Sequence, residues 1–152
     1  MSEAPAEDDP YPRAIALLAR REHAERELTH KLRERGFTAE SVHACLLQLR
    51  SEGLQSDARY AQSYAYTRTL KGYGPLRIRA ELGERGVAEE LIEAALDAYS
   101  GQWSKQAEQA RNKRFGRALP SDFKERARQA RFLQYRGFSS DHFRWLFRAR
   151  DE

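Results

Sequence analysis

With 152 residues, 33% of them charged, 40% apolar and 11% aromatic, the chain has the composition of a soluble helical protein and too much apolar content for a disordered one. No run approaches the ~20 apolar residues of a membrane span, and the acidic start is unlike a secretion signal. One cysteine, Cys45, leaves no intrachain disulfide to form, which points to a reducing, cytoplasmic setting.

The formal net charge of +4 is unevenly spread: −4 over residues 1–12, +2 over 13–55, −1 over 56–101 and +7 over 102–152. A basic C-terminal third implies an anionic partner met mainly by one end, with nucleic acid the commonest candidate.

Residues 1–12 carry Glu3, Glu7, Asp8, Asp9 and three prolines without an apolar period, and read as a flexible acidic tail. Pro12 suits the first turn of a helix bearing Ala14, Ile15, Leu17, Leu18 and Ala19. A break near Glu22-His23 leads to a second helix with Glu27, Leu28, Lys31, Leu32 and Arg35, which ends at Gly36. A third helix sets Val42, Cys45, Leu46 and Leu49 on one face, and Gly53 caps it. These helices make a first module, residues 13–53.

A second module, 54–101, opens with the cap Ser56-Asp57; Tyr60 and Tyr64, like Ala61 and Ala65, share a helix face. Gly72-Tyr73-Gly74-Pro75 stops that helix and starts the next. Tyr73 stands as far before its corner glycine as His23 does in the first module. Glu89-Glu90 begins a further helix with Leu91, Ala95, Leu96 and Tyr99. The third module, 102–150, starts near Trp103 and departs from the pattern at Phe115-Gly116-Arg117-Ala118-Leu119-Pro120. It resumes with Ser121 as a cap, then Phe123, Ala127, Ala130 and Leu133 up to Gly137. Ser139 caps a last helix with Phe143, Leu146 and Phe147.

Gly36, Gly86 and Gly137 lie 50 and 51 residues apart, with Leu32, Leu82 and Leu133 four positions before them and Arg35, Arg85 and Arg136 directly before. Such a fixed period marks an internal repeat. At each joint a basic residue meets the negative helix end, and the glycine supplies a left-handed corner. The expected fold is all-α, an elongated array of three tandem three-helix modules.

Catalytic signatures are missing: there is no G-x-x-x-x-G-K-[ST] phosphate loop, Cys-x-x-Cys pair, H-E-x-x-H or G-x-S-x-G. His23, His30, His43 and His142 are scattered and read as surface or boundary residues. Cys45 aligns with Ala95 and Leu146 and reads as a small buried hydrophobe, while Glu89-Glu90 is explained by the helix dipole. The expectation is no enzyme, cofactor, metal or small-molecule substrate. What remains is basic side chains interleaved with aromatics. Arg59, Arg68, Lys71, Arg77, Arg79 and Arg85 punctuate the second module; Lys113, Arg114, Arg117, Arg131 and Arg136, with Arg128, Arg144 and Arg148 beside them, fill the third. A solvated helical surface explains any single arginine here, but the charge of the third module as a whole favours binding.

Arg59-Tyr60-Ala61, Arg68 and Gly72-x-Gly74-Pro75-x-Arg77-Ile78-x-x-Glu81-Leu82-x-x-Arg85-Gly86 together resemble the signature of the bacterial RecX family. Glu27-Leu28-x-x-Lys31-Leu32 and Phe132-Leu133-x-x-Arg136-Gly137-Phe138 resemble its flanking modules, so the likeness spans roughly residues 13–148. Tyr60 stands where that signature usually has phenylalanine, and Val87 where it has isoleucine. The resemblance implies a protein that binds the RecA recombinase, lies along the groove of the RecA–DNA filament, and restrains strand exchange, ATP hydrolysis and coprotease action. Two readings compete with it: a direct nucleic-acid binder acting without RecA, and a helical adaptor for another protein. Steep loss of affinity with salt would single out a phosphate-driven complex.

Overall fold

The computed structural model describes residues 9–148, and among these the chain is all helix and turn, with no strand. Helices α1 (Tyr11–Arg20), α2 (Glu25–Glu34) and α3 (Ala39–Ser51) form the first group; α4 (Asp57–Leu70), α5 (Pro75–Glu84) and α6 (Glu89–Asp97) the second; α7 (Trp103–Phe115), α8 (Phe123–Tyr135) and α9 (Ser140–Arg148) the third. Extensive helix–helix contacts fall within these groups. Of the stretch expected as an acidic tail, residues 1–8 lie outside the described residues, and α1 begins at Tyr11 with Pro12 in its first turn.

Helix starts follow local chemistry. Thr38 Oγ1 accepts from the Ser41 amide at 3.1 Å and Ser56 Oγ from that of Arg59 at 3.1 Å, satisfying donors that a helix leaves open. Pro75 opens α5, and Glu89 and Glu90 occupy the first turn of α6. In the third module the cap is Asp122, whose Oδ1 accepts from the Glu125 amide at 2.7 Å, and not Ser121 one position earlier. At α9 the expected roles reverse: the Ser139 amide donates to His142 Nδ1 at 3.1 Å.

The three corners are alike. Gly36, Gly86 and Gly137 have φ of +99°, +83° and +100°. Each glycine amide bonds three residues back, at 2.9, 3.0 and 3.0 Å, and the next amide (Phe37, Val87, Phe138) bonds the carbonyl of Leu32, Leu82 or Leu133 at 3.3, 3.2 and 3.1 Å. This paired closure satisfies the last carbonyls of the helix and turns the following side chain onto it. All three leucines are fully buried.

Modules join through the break of one and the corner of the next. The Gly74 and Leu76 amides donate to the carbonyls of Arg136 at 2.7 Å and Gly137 at 2.9 Å. A Cβ on Gly74 would lie 2.6 Å from the Gly137 oxygen, so only glycine permits the approach. Phe138 then packs edge-on against Trp103 at 6.5 Å, and the second and third modules share one core that includes Ile78, Leu82, Trp103, Leu133 and Phe138. Between the first and second modules the seat is polar: the Arg26 guanidinium donates to the Glu84 carbonyl, the Glu25 amide to Asp57 at 2.7 Å, and Gln55 to the His23 carbonyl at 3.2 Å. Among the described residues of the first module, Ala24 alone joins the larger core; the module keeps its own around Leu28, Leu32, Val42, Cys45 and Leu49. His23, expected at a surface or boundary, is 2% exposed, because it lies in this junction.

The two ends of the series differ. Among the described residues nothing lies within 4 Å of a Cβ built on Gly36, so none of them covers the first corner. At the other end α8 starts at Phe123, a turn earlier relative to its corner than α2 or α5. The connector before it is held by buried Arg111, which donates to the Gly116 carbonyl at 2.6 Å, Gln129 Oε1 at 2.7 Å and Asn112 Oδ1 at 2.8 Å.

Gly36 and Gly137 share one backbone conformation but not one environment. Alanine at either should cost about 1–2 kcal/mol for the left-handed φ. Gly137→Ala should cost a further ~1–3 kcal/mol from overpacking, because its Cβ would sit 2.6 Å from the Arg77 amide nitrogen. Urea unfolding of the two variants checks this; equal losses would show that the junction adds nothing.

Candidate functional site

The structure sorts the basic candidates by what they already hold. Arg59 donates to Glu22 at 2.8 Å and to the Gly53 carbonyl at 3.0 Å, fastening the first module to the second. Arg79 holds Glu93 at 2.6 Å. Arg68 and Arg77 converge on Glu81, at 2.9 and 3.1 Å, and Tyr64 adds its hydroxyl at 2.8 Å. Arg85 donates to the Glu81 carbonyl at 3.1 Å and lies 4.7 Å from the Tyr64 ring centre.

Glu81 is thus the anchor of the second module's basic side chains. Burial works to raise its carboxyl, but hydrogen bonds from Tyr64, Arg68 and Arg77 outweigh burial and hold it below the usual carboxylate range. Burial, then the bond to Glu81, pushes the Tyr64 phenol up to about 12. Next to this anchor, Tyr73 carries three guanidinium groups on its ring: Arg68 at 3.8 Å, Arg77 at 4.9 Å and Arg136 from the third module at 4.8 Å. A half-buried tyrosine face suits cations held this way.

Other candidates have no carboxylate partner among the described residues. Lys71, Lys113, Arg117 and Arg131 have none; Arg114 rests on Phe115 and Phe132, with centroid distances of 5.3 and 5.9 Å. Arg136 donates to the carbonyls of Lys71 at 3.1 Å and Gly72 at 3.2 Å. Lys71, Lys113, Arg114 and Arg136 come together around a cleft of about 370 Å³ between the end of α4 and the flank of α7, lined also by Ala110 and Leu70. Arg117 and Arg131 do not join it; Arg117 borders a different hollow, with Glu108 and Trp145.

Gln106 and Gln109 also line this cleft, and the sequence reading passed over them. Their signal was present in the spacing: Gln106, Gln109 and Lys113 stand at i, i+3 and i+7 of α7, one polar stripe. Among the described residues no group of His, Cys, Asp and Glu is arranged to hold a metal ion, and no helix is long and apolar enough to cross a membrane.

The state of Glu81 predicts an acid limb of stability. Its folded pKa is depressed, so its contribution is whole above the ordinary value near 4.3 and is lost as pH falls through the lower folded-state value. Glu81→Gln should remove about 1.5–3 kcal/mol at pH 7, the range for hydrogen bonds to charged groups, and flatten the decline in urea midpoint between neutral and acid pH. An unchanged acid limb would place the anchor elsewhere.

Comparison with known proteins matches this architecture throughout. The pattern described as "RecX, first three-helix domain" fits residues 11–49, the second three-helix domain residues 56–96 and the third residues 102–145. The regulatory protein RecX of Pseudomonas tolaasii is 48% identical over 138 residues, covering 91% of this chain and 89% of that one. That of Stenotrophomonas maltophilia (strain R551-3) is 43% identical over 140 residues, covering 92% and 86%. In structure, the chain is similar to RecX from Lactobacillus salivarius, with a TM-score of 0.76 at 22% identity over 93% of this chain and 94% of that chain, a likeness of fold. A second crystal structure of regulatory protein RecX has a TM-score of 0.74 at 27% identity over 93% of this chain and 71% of that chain. With all three of its modules matched, the chain belongs to the RecX family of regulatory proteins.

Proposed function

We propose that this protein is a cytoplasmic regulator that binds the RecA recombinase filament on DNA and restrains its strand exchange, ATP hydrolysis and coprotease action. The observation that carries this reading is the family match over all three modules. The geometry agrees in kind. Three short modules joined corner to break offer a contact surface made of repeated units, which suits a partner that is itself a repeating polymer. Four of its cations, Lys71, Lys113, Arg114 and Arg136, gather at one junction, where they steer the chain toward an acidic groove. The protein acts in this reading by occupying the filament, with no turnover of its own.

The Glu22, Glu81 and Glu93 pairs imply a division of labour among the candidates. Arg59, Arg68, Arg77 and Arg79 hold the modules in shape, while Lys71, Lys113, Arg114 and Arg136 meet the filament, and Arg85, Arg117 and Arg131 stand at its margins. The test is RecA-catalysed ATP hydrolysis on single-stranded DNA with increasing amounts of the protein. Hydrolysis should fall as the protein approaches one equivalent per few RecA subunits; full hydrolysis at equimolar protein would overturn the reading.

A further inference from the structure

Four cations and no carboxylate line the cleft between the second and third modules. Its neighbour on the other side of α4, about 420 Å³ and also bordered by Lys71, contains Arg21, Arg68 and Arg85 but balances them with Glu22 and Glu27. Three of the four cations, Lys113, Arg114 and Arg136, come from the third module with its net charge of +7, and Lys71 joins them from a second module whose net charge over residues 56–101 is −1.

We propose that this cleft seats the phosphodiester backbone of a nucleic-acid strand, held by charge without reading of bases. The proposal deepens the filament reading, since that filament contains DNA. A protein carboxylate would neutralise one cation, as Glu93 does for Arg79 at 2.6 Å, and leave three. A strand delivers closely spaced charges and can meet lysines on both walls. The cations also suit phosphate: Lys71 and Lys113 are mobile point charges that accept a tetrahedral anion in many orientations, and Gln106 and Gln109 add neutral amide donors. Base stacking has no platform here. Tyr73 is covered by Arg68 at 3.8 Å, and Phe132 by Arg136 at 4.7 Å and Arg114 at 5.9 Å. Contacts to phosphate without contacts to bases position a strand and carry no sequence information.

The test omits RecA. Binding of a fluorescein-labelled thymidine oligomer is followed by anisotropy over a range of salt concentrations, for the intact protein and for Lys71→Gln/Lys113→Gln, with circular dichroism confirming helix content. Both lysines are exposed, so the variant should fold. Each phosphate contact on a single strand contributes about 0.7 to the log–log salt slope; the double variant should therefore lower the slope by about 1.4 and weaken binding several-fold at low salt. Arg79→Gln/Arg128→Gln removes the same charge from positions paired with Glu93 and Glu125 and should keep the wild-type slope. No binding by the intact protein, an unchanged slope in the lysine variant, or an equal drop in the control would each overturn the phosphate site. If the lysine variant loses inhibition of RecA hydrolysis while binding the oligomer normally, the cleft meets RecA carboxylates; the phosphate site then fails and the filament reading stands. Wild-type failure to inhibit RecA, with the slope change present, sinks the filament reading alone.

Discussion

The seating of Gly74 against Gly137 is the contact on which the basic junction depends. Amides at the start of α5 and carbonyls at the end of α8 are groups that helices leave open, and here each set satisfies the other, at 2.7 and 2.9 Å. The approach is possible because neither residue has a side chain. It brings Phe138 under Trp103, and it brings the end of α4 alongside α7, so Lys71 faces Lys113 across a shared cleft. Arg136 closes the arrangement by donating back to the Lys71 and Gly72 carbonyls while lying over Tyr73.

Charge in this protein does two different jobs. In the first two modules most arginines are fastenings: Arg21 to Glu27, Arg50 to Glu25, Arg59 to Glu22, Arg68 and Arg77 to Glu81. Surface pairs of this kind add little stability singly; of these, Arg59–Glu22 ties the first module to the second and the others brace a single module. Arg111 in the third module is the buried extreme, charged yet surrounded by neutral acceptors, and burial lowers its hold on the proton. The cations of the cleft, Lys71, Lys113, Arg114 and Arg136, have no carboxylate partner among the described residues.

Most of the architecture could be read from the sequence, because the corner depends on a few local residues. Leu32, Arg35 and Gly36 and their two repeats specify a helix end that needs no tertiary help, and the apolar spacing around them specifies the faces. The junctions were not legible. That Gly74 meets Gly137, or that His23 is buried, depends on which module's break reaches which corner, a pairing between residues more than 50 positions apart that no local pattern encodes. The candidate site was half legible for the same reason. Composition placed cations in the second and third modules, and separating Arg68 and Arg77 from Lys71 and Lys113 required knowing where Glu81 lies.

Joining break to corner also gives the series a direction. The first corner, at Gly36, meets no break among the described residues, whereas the corners at Gly86 and Gly137 each meet the preceding unit. In the third module the connector is instead held from within, with Arg111 donating to the Gly116 carbonyl and α8 beginning a turn earlier. Each unit therefore offers a break to the unit that follows it and a corner to the unit that precedes it, a polarity set by the chemistry of helix ends.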